Sequence, residues 1–323
     1  MSTSPRPRRA LFIPFALITS AALLLTACGS GTDSGSDTQA AAASRKIPTT
    51  DVVSSLKADA SAAKLLPAGT DSLTLAVSVG GTPPGTSYLE DGKTLAVQDV
   101  DFAAAVAKVL GIKLKREAAS FEAILPALDS GKYDVGASNI TVTEERKQKY
   151  DFATYRKDEL AFEAKKGSGW KVTGPKDVAG KKIAVGSGTN QEKILVEWSE
   201  EAVKQGLPKV DIKYYQTNQA TYLALGSGAI DGYLGPNPTS AYHVATAGQT
   251  EIVGTYSGGG STIQGKIALT TKKGSGLVEA YAAAVNELIK SGDYKKILDR
   301  WNLANETVDT SEINPPGLPI EGK

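Results

Sequence analysis

The sequence predicts an α/β protein built from two similar lobes. From residue 73 onward, short apolar runs typical of buried strands alternate with segments whose apolar residues recur at helical spacing. The order strand, helix, Ser-Gly, strand also occurs twice, around Ser130-Gly131 and around Ser227-Gly228. The alternation is typical of mainly parallel sheets. The repeat favours two lobes over chance recurrence of a common turn. Because ligands of such sheets bind beyond the carboxyl ends of the strands, facing lobes would share one cleft.

The first half of the pattern contains three strands and three helical segments. The helical spacing at 51–66 predicts an N-terminal extension that packs on the body. The remaining elements, in order, are a strand at 73–79, a helix capped by Asp101 and ended by Gly111, a strand at 112–116, a helix at 120–128 and a strand at 133–137.

The second half repeats the same kinds of element. Thr189 and Glu192 form a capping-box pattern at the start of a helix. The predicted strands lie at 182–185, 210–215, 229–234, 251–256 and 267–271, and two further helices lie near 276–290 and 293–301. Residues 304–323 are rich in Pro and Gly and are predicted to form a C-terminal tail.

The first 27 residues have the pattern of an export signal. A basic head is followed by an apolar run that is short for a membrane-spanning helix and by small residues. The sequence LTAC at 25–28 resembles a bacterial lipobox, which implies cleavage before Cys28 and a lipid on its thiol. Arg8-Arg9 loosely resembles a twin-arginine signal, so the general and twin-arginine routes both stay open. Residues 28–69 then form a polar tether and the N-terminal extension.

Composition excludes several classes of function. Removing residues 1–27 takes away three of the 36 basic residues and none of the 35 acidic ones, so no basic surface points to nucleic acid. With one His (His243) and one Cys, a zinc site or a Cys–His nucleophile is excluded, and we expect neither a metal nor a cofactor. The segment 174–182 has the wrong spacing for a phosphate loop, and 186–191 lacks the third glycine of a dinucleotide loop. For Asp99 and Asp101, helix capping is favoured over a paired-acid role.

Residues 138–146 (SNITVTEER) place hydroxyls, backbone N–H groups and one arginine at a strand-to-helix junction. Taken alone, the segment is typical of a capped polar surface helix, with Thr143 as N-cap and Arg146 in solvent. The same junction also suits an anion, because helix N-termini present unpaired donors and arginine matches a carboxylate.

Four ordered blocks decide between these interpretations. They are 98–102 (QDVDF), 124–134 (ILPALDSGKYD), 141–146 with 151–152 (TVTEER and DF), and 180–192 (GKKIAVGSGTNQE). In this order and spacing the chain resembles the amino-acid-binding solute-binding proteins of ABC importers, family 3, over about residues 70–303.

The resemblance implies the periplasmic-binding-protein type II, or Venus-flytrap, fold. Two α/β lobes would be joined by two crossover hinge strands and would close on the ligand. Lobe 1 would comprise 70–158 plus 267–303, and lobe 2 would comprise 159–266. By the same resemblance, Arg146 would grip a ligand carboxylate. The other implied ligand-binding residues are Thr141, Asn139, Ser138, Phe121, Thr189 and Asn190.

Two departures from the family pattern concern the ligand. Pro236 stands where the family has an aspartate for the α-ammonium, and Asn237 is the nearest polar substitute. Thr82 stands in the first cleft loop, where the family has an aromatic pair. A buried ammonium without a counter-charge is costly. The sequence therefore predicts a carboxylate-bearing ligand that is either an amino-acid derivative or an amine met by another acid.

The predicted function is a solute-binding lipoprotein of an ABC importer. The protein would be a monomer on the extracytoplasmic face of the cell membrane, anchored through Cys28, and would not be an enzyme. Its partners would be a permease and an ATPase on other chains. Two alternatives stay open: a dehydratase-type enzyme on the same fold, and a ligand sensor without transport.

Overall fold

The computed structural model describes residues 50–78, 87–88, 95–96 and 98–320, which belong to one compact unit. The signal peptide, Cys28, most of the tether and Thr82 lie outside the described residues. Among the described helices, none is both long and apolar enough to cross a bilayer.

Twelve strands and nine α-helices are assigned in this part of the chain. The strands are β1 (Ser72–Ser78), β2 (Ser87–Tyr88), β3 (Leu95–Ala96), β4 (Lys113–Ala119), β5 (Val135–Gly136), β6 (Tyr150–Lys157), β7 (Glu159–Lys165), β8 (Lys182–Val185), β9 (Asp211–Tyr214), β10 (Gly232–Pro236), β11 (Thr250–Ser257) and β12 (Lys266–Lys272). The helices are α1 (Ala60–Ala63), α2 (Gln98–Leu110), α3 (Phe121–Asp129), α4 (Pro175–Val178), α5 (Asn190–Lys204), α6 (Asn218–Ser227), α7 (Asn237–Ala247), α8 (Val278–Ser291) and α9 (Asp293–Arg300).

The strands form two five-stranded mixed sheets and one short hairpin. The first sheet has the order β4-β1-β5-β12-β6 and the second β11-β7-β10-β8-β9, while β2 pairs with β3. In the first sheet β1 pairs in parallel with β4, and in the second sheet β8 pairs in parallel with β9. By contrast, β12 pairs antiparallel with β6, and β11 pairs antiparallel with β7. The two-lobe α/β class is thus confirmed. The prediction of mainly parallel sheets was wrong, because β12 in the first sheet and β7 in the second run antiparallel to both of their neighbours.

The chain passes between the sheets twice. Only Asp158 separates β6 in the first sheet from β7 in the second, and residues 258–265 lead back from β11 to β12. The first seven residues of β6, up to Arg156, are all buried, although Asp151, Thr154 and Arg156 are polar or charged. The two crossings therefore lie in the interior, where their polar groups need internal partners.

Alternation along the strands explains why helices cover both faces of each sheet. In β1, Leu75 and Val77 pack into the core beneath α2 and α8, whereas Ala76 faces the other way, toward α3. In β8, Ile183 packs against α5 and Ala184 against the side of α6. Each lobe therefore has its own pair of apolar layers.

The N-terminal extension packs on the first lobe, but it is mostly not helical. Leu56 and Ala62 are buried in the core beneath α2 and α8, while α1 covers only four residues. The predicted helix at 51–66 was wrong because aspartates interrupt it. Asp51 and Asp59 each accept two nearby backbone N–H bonds, which favours turns and an N-cap over a continuous helix.

The predicted C-terminal tail is an ordered segment that we call the C-terminal strap, residues 307–320. It pairs with the exposed edge of β6 through the bridge of Ala153 with Ile313. Further along, the Leu318 N–H donates to the Val142 carbonyl (3.2 Å). The Leu318 side chain is 1% exposed and packs in the core of the second lobe. The strap therefore contacts both lobes.

Candidate functional site

A cavity of roughly 230 Å³ lies between the two sheets. It opens at strand ends: Ser78 ends β1, Pro236 ends β10, and residues 186–187 follow β8. This is the edge at which ligands of α/β sheets bind. Drug-sized ligands usually occupy pockets of about 300–1,000 Å³, so this cavity suits a smaller molecule.

The first lobe contributes a wall of serine, asparagine and phenylalanine side chains. Ser138, Asn139 and Phe121 all line the cavity. The hydroxyls of Ser138 and Ser78 lie 2.5 Å apart, and the Ser78 N–H also donates to Ser138 Oγ. Asn139 has a φ of 52°, a left-handed conformation that asparagine tolerates better than most residues. These three predicted residues therefore meet at one wall.

Asp99 also lines this wall and belongs to a buried charged network. Its Oδ2 accepts from the Asn139 N–H (2.7 Å), and its Oδ1 accepts from the Tyr155 hydroxyl (2.6 Å). Arg156 lies behind it, with Nη2 3.6 Å from Asp99 Oδ1 and Nη1 2.5 Å from Glu306 Oε2. Arg156 also donates to Asn139 Oδ1. Two carboxyl groups thus share one guanidinium beneath the cavity.

Burial governs the protonation of this network. Desolvation raises the pKa of Glu306 to about 7, against the opposing charge of Arg156. Burial lowers the pKa of Arg156, but the carboxylates of Glu306 and Asp99 outweigh it and leave that pKa above its ordinary value. Arg156 is therefore always charged, and Glu306 is the member of the network that titrates near neutrality.

The helix-capping interpretation of the two aspartates was wrong. Asp99 and Asp101 both lie in the first turn of α2, which begins at Gln98, so neither is its N-cap. Asp101 Oδ2 instead accepts from Trp301 Nε1 (2.8 Å) and pairs with Arg300 (3.2 Å). Long-range partners therefore take both carboxylates.

Arg146 is buried between the lobes rather than exposed on a helix. Its Nη1 donates to the Thr141 carbonyl (2.9 Å) and its Nη2 donates to the Gly188 carbonyl of the second lobe (3.0 Å). Its guanidinium lies 5.8 Å from the centre of the Phe121 ring. Arg146 lines a neighbouring cavity of roughly 860 Å³, which adjoins the smaller one at Thr189. Burial lowers the pKa of Arg146 to about 10, and the charge of Asp158 partly offsets this effect.

The polar helix predicted after Thr143 is absent from this position. A three-residue 3-10 helix, Arg146–Gln148, stands there instead. The Thr143 hydroxyl still accepts from the Arg146 N–H (3.1 Å), so its predicted capping interaction exists in a shorter form. The preceding backbone is committed to sheet-like pairing, since the Val142 N–H donates to the Lys266 carbonyl (2.9 Å). Strand β6 begins at Tyr150, which leaves no room for a longer helix.

Thr141 and Asn190 meet at the crossing rather than in the smaller cavity. Both donate to Asp158 Oδ2, Thr141 from its hydroxyl (2.7 Å) and Asn190 from its amide (3.0 Å). The Asn190 amide also donates to the Gly258 carbonyl on the second crossing. Asp158 is fully buried, which raises its pKa against these hydrogen bonds. Both residues therefore join the lobes at the hinge.

The second lobe presents Thr189 from the start of α5. Its hydroxyl accepts from the Glu192 N–H (3.1 Å), as an N-cap does, and donates to the Gly186 carbonyl (2.7 Å). Asn237 begins α7 but does not line the cavity; Pro236 and Thr239 do. The role of Asn237 in place of the missing aspartate therefore stays a prediction, and Thr239 is the polar residue of α7 that lines the cavity.

Several cavity residues were not predicted from the sequence as ligand-binding. Asp99, Gln98 and Gln191 are almost fully buried in its lining. Gln191 lies inside a block that the resemblance already covered, and Asp99 had been assigned to capping. Nothing in the local pattern marked Arg156, which looks like one charged residue at the end of a strand.

A two-lobed α/β unit with a small cavity at facing strand ends is typical of solute-binding proteins. Residues 75–304 match the family model of bacterial extracellular solute-binding proteins, family 3, and the chain belongs to this family. It is a binding protein and not an enzyme, which confirms that prediction.

Similar proteins agree with this assignment. The L-cystine-binding protein TcyJ of Escherichia coli (strain K12) is 31% identical over 235 residues, which cover 72% of this chain and 84% of TcyJ. The arginine-binding protein ArgT of Corynebacterium glutamicum is 27% identical over 247 residues, covering 75% and 79%. The structure of an ancestral arginine-binding protein bound to arginine has a TM-score of 0.62 and 31% identity, covering 72% of this chain and 98% of that one.

Proposed function

We propose that this protein is the amino-acid-binding subunit of an ABC importer. The ligand would be an amino acid or a derivative that keeps a carboxylate. It would extend across the smaller cavity and the adjoining one that Arg146 lines, between lobe 1 (70–158 plus 267–303) and lobe 2 (159–266), and the lobes would close on it. Family membership and the cystine- and arginine-binding relatives support this proposal.

The observation that carries the proposal is the state of Arg146. Its guanidinium is buried, and no carboxylate of the described residues lies within 4.0 Å of it. An unpaired buried cation is costly, and an anion placed beside it removes much of that cost. Its two hydrogen bonds go to neutral carbonyl oxygens, one in each lobe. A ligand carboxylate would take the place of the Gly188 carbonyl and would form the stronger, charge-assisted pair.

Titration calorimetry with L-arginine and with agmatine, which lacks the carboxylate, tests this role. Arg146→Met should weaken L-arginine binding by about 100-fold, since it removes a buried charge-assisted pair. It should change agmatine binding little. Lys149→Met is the matched control, because the Lys149 side chain is 67% exposed. Equal L-arginine affinity in Arg146→Met and the control would refute the carboxylate grip.

The membrane anchor is the second part of the proposal. The lipobox-like sequence at 25–28 supports lipidation of Cys28 and a location on the extracytoplasmic face, where a monomer would meet the permease and its ATPase. Cys28→Ser should move the protein from the membrane fraction of cells to the soluble fraction. Unchanged membrane retention of that variant would contradict the anchor. Deletion of the gene and its return on a plasmid would distinguish transport from sensing. Loss of ligand uptake in the deletion strain, and its recovery with the plasmid, would indicate transport.

A further inference from the structure

We infer that the cavity holds a guanidinium group of the ligand side chain against Asp99, between the side-chain carbonyls of Gln98 and Gln191. This inference rests on the proposed function and narrows its ligand to a cationic amino acid. Asp99 of the first lobe would supply the negative charge for the cation of the ligand. The second lobe has Pro236, an uncharged residue, at the corresponding strand end.

The first step of the argument is the charge of the lining. Among the described residues that line the cavity, Asp99 and Glu122 are acidic and none is basic. Asp99 is 2% exposed and Glu122 stands at the exposed rim. A cavity with this lining favours a positive occupant, because a buried negative charge is stabilised by an opposite one nearby.

The second step is the unused hydrogen-bonding capacity. Gln98 is 2% exposed and Gln191 is 4% exposed, and both line the cavity, one from each lobe. Neither Oε1 atom has a hydrogen-bond partner among the described residues. Buried acceptors of this kind are costly unless a donor reaches them. Two unsatisfied acceptors in facing walls therefore point to a ligand rich in N–H donors.

The third step is the state of Asp99 itself. Each of its oxygens accepts one hydrogen bond, from Tyr155 and from the Asn139 N–H. A carboxylate has about four acceptor positions, so each oxygen keeps capacity for a ligand donor. Arg156 makes its closer contact with Glu306 (2.5 Å) and lies 3.6 Å from Asp99 Oδ1, so a guanidinium hydrogen bond does not occupy the Asp99 oxygens.

The last step selects the kind of cation. A guanidinium presents five N–H donors in one plane, whereas an ammonium presents three donors around a point. The acceptors here are spread over two facing walls, which suits the planar group. The aromatic rings of Tyr214, Tyr215 and Tyr233 also belong to the lining, and guanidinium groups stack on aromatic faces.

Calorimetry with L-arginine and L-citrulline tests the inference, because citrulline keeps the shape and the α-amino acid but carries no side-chain charge. The unmodified protein should bind L-arginine about 10- to 100-fold more tightly than L-citrulline. Asp99→Asn should remove about tenfold or more of that preference, with citrulline binding nearly unchanged. Equal affinity for the two ligands, or a preference for citrulline, would overturn the inference.

Variants at Gln191 keep the test decisive if Asp99→Asn fails to fold. Gln191→Leu removes an unsatisfied acceptor, so its melting temperature should not fall, while its preference for L-arginine should decrease by about tenfold. Gln191→Glu should increase that preference. Gln205→Leu, at the exposed far end of α5, is the matched control. A preference unchanged in both Gln191 variants would refute the subsite.

The two proposals fail in different ways. If the proposed function is wrong, no α-amino acid will bind, or the amino-acid affinities will be unchanged in Arg146→Met. Failure of the guanidinium subsite appears as binding of amino acids through Arg146 without preference for L-arginine over L-citrulline.

Discussion

Replacing Glu306 with glutamine should abolish a pH dependence of folding that originates beneath the cavity. Glu306 is fully buried beside Arg156 and shares that guanidinium with Asp99. Burial raises its pKa from 4.5 to about 7. Glutamine keeps an oxygen that can accept from Arg156, but it has no proton to lose in this range.

The sign of the effect follows from proton binding. Between about pH 4.5 and pH 7 the folded protein holds the Glu306 proton, whereas the unfolded chain has released it. Stability from this group is therefore fully present below about pH 4.5 and decreases as the pH rises to about 7. Each pKa unit corresponds to about 1.4 kcal/mol, so the total loss is at most about 3.5 kcal/mol. Above about pH 7 the contribution is constant.

Urea unfolding of both proteins between about pH 5 and pH 8.5 measures this difference. The two free energies should be similar at the acidic end, and Glu306→Gln should become the more stable protein toward pH 8. Glu312→Gln is a suitable control, because Glu312 pairs with Lys266 but is 41% exposed. If the curves for the unmodified protein and Glu306→Gln run parallel, Glu306 does not carry the buried proton and the reasoning is refuted.

Three further substitutions test the packing. Leu318→Ala should reduce stability by about 2–5 kcal/mol, since it empties a buried site in the second core; thermal melts would show little change if the strap were loose in solution. Gly258→Ala should yield little folded protein, because its Cβ would collide with the Asp158 carboxylate; normal yield and melting temperature would contradict that contact. Asp59→Ala should cost about 1 kcal/mol by removing the N-cap of α1, and an unchanged urea midpoint would argue against the cap.

The elements that follow from local patterns could be predicted closely. The α5 helix begins where the capping pattern placed it, because Thr189 caps it directly. Strand β8 has the predicted bounds, since its residues after Lys182 are all buried. Sites assembled at strand ends were also predictable, and Ser138, Asn139, Phe121 and Thr189 do share one cavity lining.

Contacts between distant parts of the chain could not be predicted in this way. The strap looked like a tail because its Pro and Gly content disfavours helix and strand, yet several of its hydrogen bonds join residues more than 150 positions earlier, such as Thr154 and Val142. The network of Asp99, Arg156 and Glu306 likewise joins three separate segments. A local sequence pattern does not show which distant residue a charged side chain contacts. For this reason the helix-capping interpretation of Asp99 was wrong.

The strap has a consequence for the free protein. Its backbone is bonded to the first lobe at Val142, while the Leu318 side chain sits in the core of the second. If the lobes separate while the strap stays bonded to the first lobe, the Leu318 side chain would leave its buried position in the second lobe, at a cost of about 1.5–3 kcal/mol. If the lobes open and close in solution, that cost would favour the closed form by about 10- to 150-fold and would raise the apparent affinity for a ligand that binds this form. Leu318 would thus help the protein to bind its ligand at low concentration, although the leucine side chain does not line the proposed binding cavity.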